Sequence, residues 1–268
     1  MREIFHRLSK EKVNKIWSAR RRKEEKRRKE ENWQAPYISL PKSMIGLIAA
    51  TPQEMSAISG QMDRVSSRTL AHVEFRSGKL GGQDIVVALS GVGKVAAAIA
   101  STLMCQLYQP SCLISVGVAG GLKQEQEVGD LVISDAIIQA DFDTTEFDGP
   151  EGLGMRFQAN PELMEKAQKA AQKTQLNWMT GAIATQDLFM AAKEDYEWLL
   201  QNFPESACSE MEGGAVAQTA KAFSIPCLVL RTLSDVAVHE DNSMEYAQFA
   251  VESAQKMAAF LKVFCQEL

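Results

Sequence analysis

Ile85-Val86-Val87-Ala88-Leu89-Ser90-Gly91-Val92-Gly93-Lys94-Val95-Ala96-Ala97-Ala98 is the stretch that decides the fold. Its first five residues form a short apolar, β-favouring run, its two glycines permit a tight turn, and its alanine-rich continuation has helical character. Strand, turn and helix in that succession are the building unit of α/β proteins. The pattern repeats outward from there. Strand-like runs are predicted at 44–50, 73–79, 84–90, 112–118, 131–138, 181–185 and 226–233, and helices at 53–62, 93–107, 161–173, 191–202, 213–223 and 243–265. Short strands alternating with longer helices predict one α/β domain with a mostly parallel central sheet, and no internal repeat divides it.

Charge separates this body from what precedes it. The 268 residues carry a formal charge of −5, yet residues 1–31 hold 13 Lys and Arg against 6 Asp and Glu. An arm of +7 therefore precedes a body of −12. Residues 1–43 are expected to be a charged extension and linker, flexible or helical, because the run Arg20–Glu31 has nothing to bury. Contact with nucleic acid or an acidic surface is expected only through this arm, since the body is acidic. The domain is expected over 44–268. With 46% hydrophobic residues the whole chain has ample material for a core, which excludes collagen-like and wholly disordered chains. The five cysteines are scattered, without a C-x-x-C pair or a nearby histidine, so reduced buried thiols in the cytoplasm are expected. No apolar run approaches the roughly 18 residues of a membrane span, and no apolar stretch follows the basic start as a secretory signal would require.

Gly91-Val92-Gly93-Lys94-Val95-Ala96 matches the glycine pattern of dinucleotide-binding turns. That pattern also needs an acidic residue about 20 positions on, to hold a ribose. Residues 109–118 contain none. Nor is this a phosphate-binding P-loop, for Ala88 stands where its first glycine belongs and Val95 where its Ser or Thr belongs. Gly117-Val118-Ala119-Gly120-Gly121 reads as a second glycine-rich turn, after the strand Cys112–Val116. Such turns place backbone N–H groups where ligands settle in α/β sheets.

Four acidic residues lie just beyond strand-like runs among small or apolar neighbours: Glu54, Glu210, Glu212 and Asp235. One such residue is ordinarily a helix cap. Four converging on one end of a sheet define a candidate small-molecule site. His6, His72 and His239 are dispersed, and neither a metal nor any other cofactor is expected.

These motifs carry a family resemblance. Ile45–Ala50 with Glu54, Ser90–Ala97, Gly117–Leu122, Val128-Gly129-Asp130-Leu131-Val132, Glu210-Met211-Glu212 and Arg231-Thr232-Leu233-Ser234-Asp235 stand in the order found in 5′-methylthioadenosine/S-adenosylhomocysteine nucleosidases, over about residues 44–265. The resemblance implies a single three-layer α/β/α domain with a central mixed, mostly parallel sheet. It implies hydrolysis of an N-glycosidic bond, releasing adenine and a 5′-thio-substituted ribose. Asp235 would protonate N7 of adenine. Glu54 would activate water, with Arg231 and Ser90 orienting it. Glu212 would hold the ribose hydroxyls beside Met211, while Glu210 would take a structural or supporting place.

Phe189 would stack on the base, the backbone of Met190 would read its edge, and Val92 and Val118 would line the pocket. Phe147, in Asp141–Phe147, would complete the pocket of a second subunit, which implies a homodimer. Thr144 and Glu146 depart from the family's apolar or small residues there, and 148–154 is short, so the preferred 5′ substituent stays open. Among alternatives, a phosphorylase would favour phosphate-binding groups in the first turn, but Thr51-Pro52-Gln53-Glu54 presents an acid. A futalosine-type hydrolase would keep the carboxylates and change the 5′ pocket. A non-catalytic nucleoside sensor would not need the water-activating Glu54.

Overall fold

In the computed structural model, the described residues are 44–174, 176–190, 193–236 and 242–268, with the side chains of 242–248 excepted. The basic extension expected over 1–43 lies outside them. The strands are β1 (Ile45–Ala49), β2 (Asp63–Leu70), β3 (Val73–Leu80), β4 (Gln83–Leu89), β5 (Cys112–Gly121), β6 (Leu131–Asp143), β7 (Leu153–Gln158), β8 (Trp178–Thr185), β9 (Ser206–Glu210) and β10 (Cys227–Val236). The helices are α1 (Pro52–Ser59), α2 (Lys94–Tyr108), the single turn α3 (Thr145–Asp148), α4 (Pro161–Thr174), α5 (Lys193–Asn202), α6 (Gly213–Phe223) and α7 (Asn242–Glu267).

The strands form one mixed sheet ordered β10-β6-β8-β9-β5-β1-β4-β3-β2, with β7 on β6. Its centre is parallel, as β4, β1, β5 and β10 pair in that sense and β6, β8 and β9 do likewise. Antiparallel pairing joins β5 to β9 and β10 to β6. Because β10 also pairs with β5, the strands β5, β10, β6, β8 and β9 close on themselves. The central runs Leu47-Ile48, Val86-Val87 and Leu228-Val229-Leu230 are fully buried, as strands covered on both faces must be. Helices lie on both sides: α1 and α4 each pack on α7, and α2 packs on α6. The alanines of α2 and α6 (Ala97, Ala100, Ala217, Ala220) are buried, and their small side chains permit close approach.

Three strands escaped the sequence reading. All eight residues of β2 are exposed, so it shows no apolar alternation. Its hairpin to β3 turns on Ala71 and His72, both at positive φ, where glycine or asparagine is the usual signal. The five residues of β9, Ser-Ala-Cys-Ser-Glu, are all buried, but only pairing with β8 and β5 makes them so. In β7, only Phe157 is buried.

The expected turn at Gly117–Gly121 is corrected: β5 runs on through Gly121. These glycines serve close approach within a strand. A Cβ on Gly117 would lie 2.5 Å from Glu54 Oε1, and one on Gly120 3.0 Å from Asp235 Oδ2. The first glycine turn stands, with Gly91 at φ 84° and Gly93 at φ 97° just before α2.

Candidate active site

Glu54 is placed by the first turn of α1. Thr51 caps that helix, its Oγ1 accepting from Glu54 N at 3.3 Å, and Glu54 answers as a capping box. Its Oε2 accepts from Ala50 N and Thr51 N, each at 2.9 Å, and its Oε1 from Val118 N on β5 at 3.0 Å. A carboxylate with three N–H partners is thus held at the edge of the cleft, doing the work of a helix cap and extending beyond it.

Asp235 is placed by an irregularity. The pairing of β10 with β5 shifts register between Leu233 and Asp235, which brings Asp235 opposite Gly120. Bulges of this kind re-aim side chains. Gly120 in turn pairs with Ser209 of β9, so Asp235, Gly120 and Ser209 form one row across three strands, open at its centre for lack of a side chain. Ser234 Oγ donates to Asp235 Oδ1 at 2.8 Å.

Glu210 and Glu212 flank the start of α6. Glu210 Oε2 accepts from Glu212 N at 3.1 Å and Gly213 N at 2.7 Å, and pairs with the buried guanidinium of Arg231. Glu212 Oε1 accepts from Gly93 N at 2.9 Å, which ties the first glycine turn to the site. Its Oε2 lies 3.7 Å from Arg231 Nη2. Burial, reinforced by Glu210, pushes the Glu212 carboxyl up to about 7 against the pull of Arg231. Burial opposes the charge of Arg231, but Glu210, Glu212 and Glu54 prevail and hold it protonated.

These groups surround a cleft lined in part by Glu54, Glu212 and Asp235. Val92, Val118, Phe189, Met190 and Met211, all expected here, line it too. Three expected residues do not. Arg231 lies buried, donating to Ser115 Oγ at 3.0 Å and bound to Glu210. Ser90 Oγ turns to the carbonyl of Gly91 at 2.8 Å. Phe147, on α3, is 84% exposed and outside the lining.

The lining also includes Ala50, Thr51, Ala119, Gly120, Leu188, Ser209, Glu210 and Ser234. Proximity to Glu54 and Asp235 in sequence could have suggested Thr51 and Ser234, but nothing marks Ser209 until β9 closes the sheet. A polar tie at the rim was equally unreadable. Asp187 Oδ1 accepts from Lys94 N at 2.7 Å, while Asp141 accepts from Asp187 N at 3.0 Å and Lys94 Nζ at 2.6 Å. This tie anchors the segment carrying Phe189 and Met190 to α2 and β6. Among the described residues, no cluster of His, Cys, Asp or Glu could hold a metal ion, and no helix is long and apolar enough to cross a membrane.

A cleft lined by half-exposed Phe189 and by buried carboxylates suits a ligand with a planar part and a hydroxylated part. Fold and cleft together define an α/β protein with a carboxylate-lined small-molecule site.

Comparison with known proteins sharpens the class. The model of the phosphorylase superfamily matches residues 44–265. The 5′-methylthioadenosine/S-adenosylhomocysteine nucleosidase of Shewanella oneidensis is 36% identical over 229 residues, 84% of this chain and 97% of that protein. The crystal structure of the enzyme of that name from Neisseria meningitidis, in complex with methylthio-immucillin-A, superposes with a TM-score of 0.80 at 30% identity, covering 84% of this chain and all of that one. The futalosine hydrolase of Helicobacter pylori superposes with a TM-score of 0.78 at 31% identity, covering 84% and 98%. The chain belongs to the phosphorylase superfamily and, within it, to the 5′-methylthioadenosine/S-adenosylhomocysteine nucleosidases.

Proposed function

We propose that three carboxylates divide the hydrolysis of 5′-methylthioadenosine and S-adenosylhomocysteine between them. Breaking the bond from C1′ to N9 leaves electron density on the base and positive charge on the ribose. Asp235 gives a proton to N7 of adenine, so the base departs neutral. Water, losing a proton to Glu54, adds its oxygen to C1′. Glu212 accepts hydrogen bonds from the ribose hydroxyls, and negative charge nearby favours the cationic sugar at the transition state. Phe189 stacks on adenine, the Met190 backbone reads its edge, and Val92, Val118 and Met211 line the rest. Arg231 and Ser90 act from behind this lining, Arg231 through Glu210 and Glu212. The products are adenine and the 5′-thio-substituted ribose.

The observation that carries this reading is the meeting of Glu54, Glu212 and Asp235 on one cleft from three separate stretches of chain. Adenine release from both nucleosides should proceed without phosphate. Release that requires phosphate would make the enzyme a phosphorylase, and no release from either would refute the proposal. Futalosine-type nucleosides are the alternative substrate class, raised by the Helicobacter pylori neighbour but less well supported than the two thio-nucleosides. Competition between the two classes in one assay ranks them.

The working unit is a homodimer in which Phe147 of each subunit reaches the other's cleft, a part suited to so exposed an aromatic. Sedimentation and a Phe147→Ala variant with a raised KM test it. The cytoplasm is the proposed compartment, in keeping with five free, buried cysteines.

A further inference from the structure

We propose that Glu210, clamped by Thr185 and Arg231, is a positioning residue of the reaction: it takes the guanidinium for itself and ties down the chain at Glu212–Gly214, leaving the Glu212 carboxylate for the sugar. The proposal rests on the reading of Glu212 as the ribose-holding group.

Hydrogen-bond bookkeeping carries it. Thr185 Oγ1 accepts from Gly214 N at 2.7 Å, so its own proton is free for Glu210 Oε1, to which it is bonded. Glu210 Oε2 meanwhile receives Glu212 N, Gly213 N and Arg231 Nη2. Four donors aim at one buried side chain, and such a convergence of N–H and O–H groups holds it in one orientation. Three of the otherwise unpaired amides around the start of α6 are satisfied by Glu210 and Thr185, and the helix dipole there favours negative charge. The turn is held from its other side too. Gln139 Nε2 donates to the Gly214 carbonyl at 3.1 Å, and a Cβ on Gly214 would lie 2.4 Å from Gln139 Cγ. The chain at Glu212 therefore has little room to move.

One guanidinium serves two buried carboxylates, unequally. Arg231 bonds Glu210 and Ser115, while Glu212 Oε2 stands at 3.7 Å, beyond hydrogen-bond reach. Glu212 is faced by Glu210 from β9, by Arg231 from β10, by Glu54 from α1 and by the Gly93 N–H before α2, and Asp235 of β10 lines the same cleft. Its raised proton affinity agrees with this unequal division.

Glu210→Gln keeps the shape and removes the charge. Arg231 then turns to Glu212 and occupies the oxygens the sugar needs. We expect KM for methylthioadenosine to rise about tenfold with a smaller change in kcat. The acidic limb of the kcat/KM profile should move about one pH unit lower, as Glu212 gains an undivided cation. An unmoved limb and unchanged KM in folded Glu210→Gln would overturn the proposal.

Should that variant not fold, Thr185→Val and Thr185→Ser decide. Val should shift the limb in the same direction while Ser, which retains the hydroxyl, restores the wild-type profile; identical profiles for the two overturn it. Glu212→Gln separates the underlying reading. If its KM is unchanged, Glu212 does not hold the sugar and both ideas fall. If its KM rises while Glu210→Gln is silent, this proposal falls alone.

Discussion

Gly117→Ala tests the place of Glu54 without touching its chemistry. Gly117 sits inside β5, outside the positive-φ region reserved for glycine, so alanine suits the backbone. Its new methyl would stand 2.5 Å from Glu54 Oε1 and 3.1 Å from Cδ, where ordinary contact begins at 3.4 Å. The carboxylate must retreat by roughly 1 Å, and the bond it accepts from Val118 N at 3.0 Å is the first to go. A hydrogen bond to a charged group is worth about 1.5–3 kcal/mol, of which about 0.4–1 kcal/mol is offset by the stiffer unfolded chain. The net loss of about 0.5–2.6 kcal/mol should lower Tm by about 1–10 °C in a domain of this size.

Activity should suffer more. Misplacing a reacting group by about 1 Å can cost about a hundredfold in rate. Initial rates of adenine release, with circular dichroism to confirm the fold, should show kcat reduced by about that factor and KM little changed. Wild-type kcat in a folded Gly117→Ala protein would refute the idea that the position of Glu54 governs the attack of water.

The remaining predictions concern the acid, the thiols and the arm. Asp235→Asn should fold normally and lose about 10²–10⁴ in kcat, the usual worth of a general acid; undiminished turnover would remove Asp235 from that role. Burial pushes Cys105 and Cys112 up to about 11, Cys227 and Cys265 up to about 12, and Cys208 upward as well. Unfolded thiols ionise near 8.5, so the folded state binds more protons above that pH. The resulting stability is full below about 8.5 and is lost as pH rises through about 11 to 12. The urea midpoint should therefore fall from about pH 8 to about pH 10.5, and a flat midpoint would contradict it. A chain starting at Met44 should release adenine at the full rate; loss of activity on truncation would make the basic arm part of the enzyme.

Much of the fold was legible in the sequence where burial acts on both faces of a strand. Ile45–Ala49, Ile85–Leu89 and Cys227–Leu230 are apolar runs because both sheet faces are covered, and the turn Gly91-Val92-Gly93 announces α2 by its need for positive φ. The acids at 54, 210, 212 and 235 stood out by their company of small and apolar neighbours. The strands β2 and β9 did not, one being exposed throughout and the other buried by its neighbours despite a small, polar sequence. The glycines of 117–121 were misleading, because composition cannot distinguish a glycine that turns the chain from one that makes room.

The sequence by itself determined the class of fold and the family, and it singled out the carboxylates that line the candidate site, because those depend on local pattern and residue type. Only the tertiary structure decided what each carboxylate is free to do. Glu210 and Glu212 are two residues apart and chemically alike. Both line the cleft, but the closing of β9 between β8 and β5 ties Glu210 to Thr185 and Arg231 and leaves Glu212 beyond hydrogen-bond reach of that guanidinium. Partners for buried charges come from remote segments, and proximity across the sheet is information that no single stretch of chain contains.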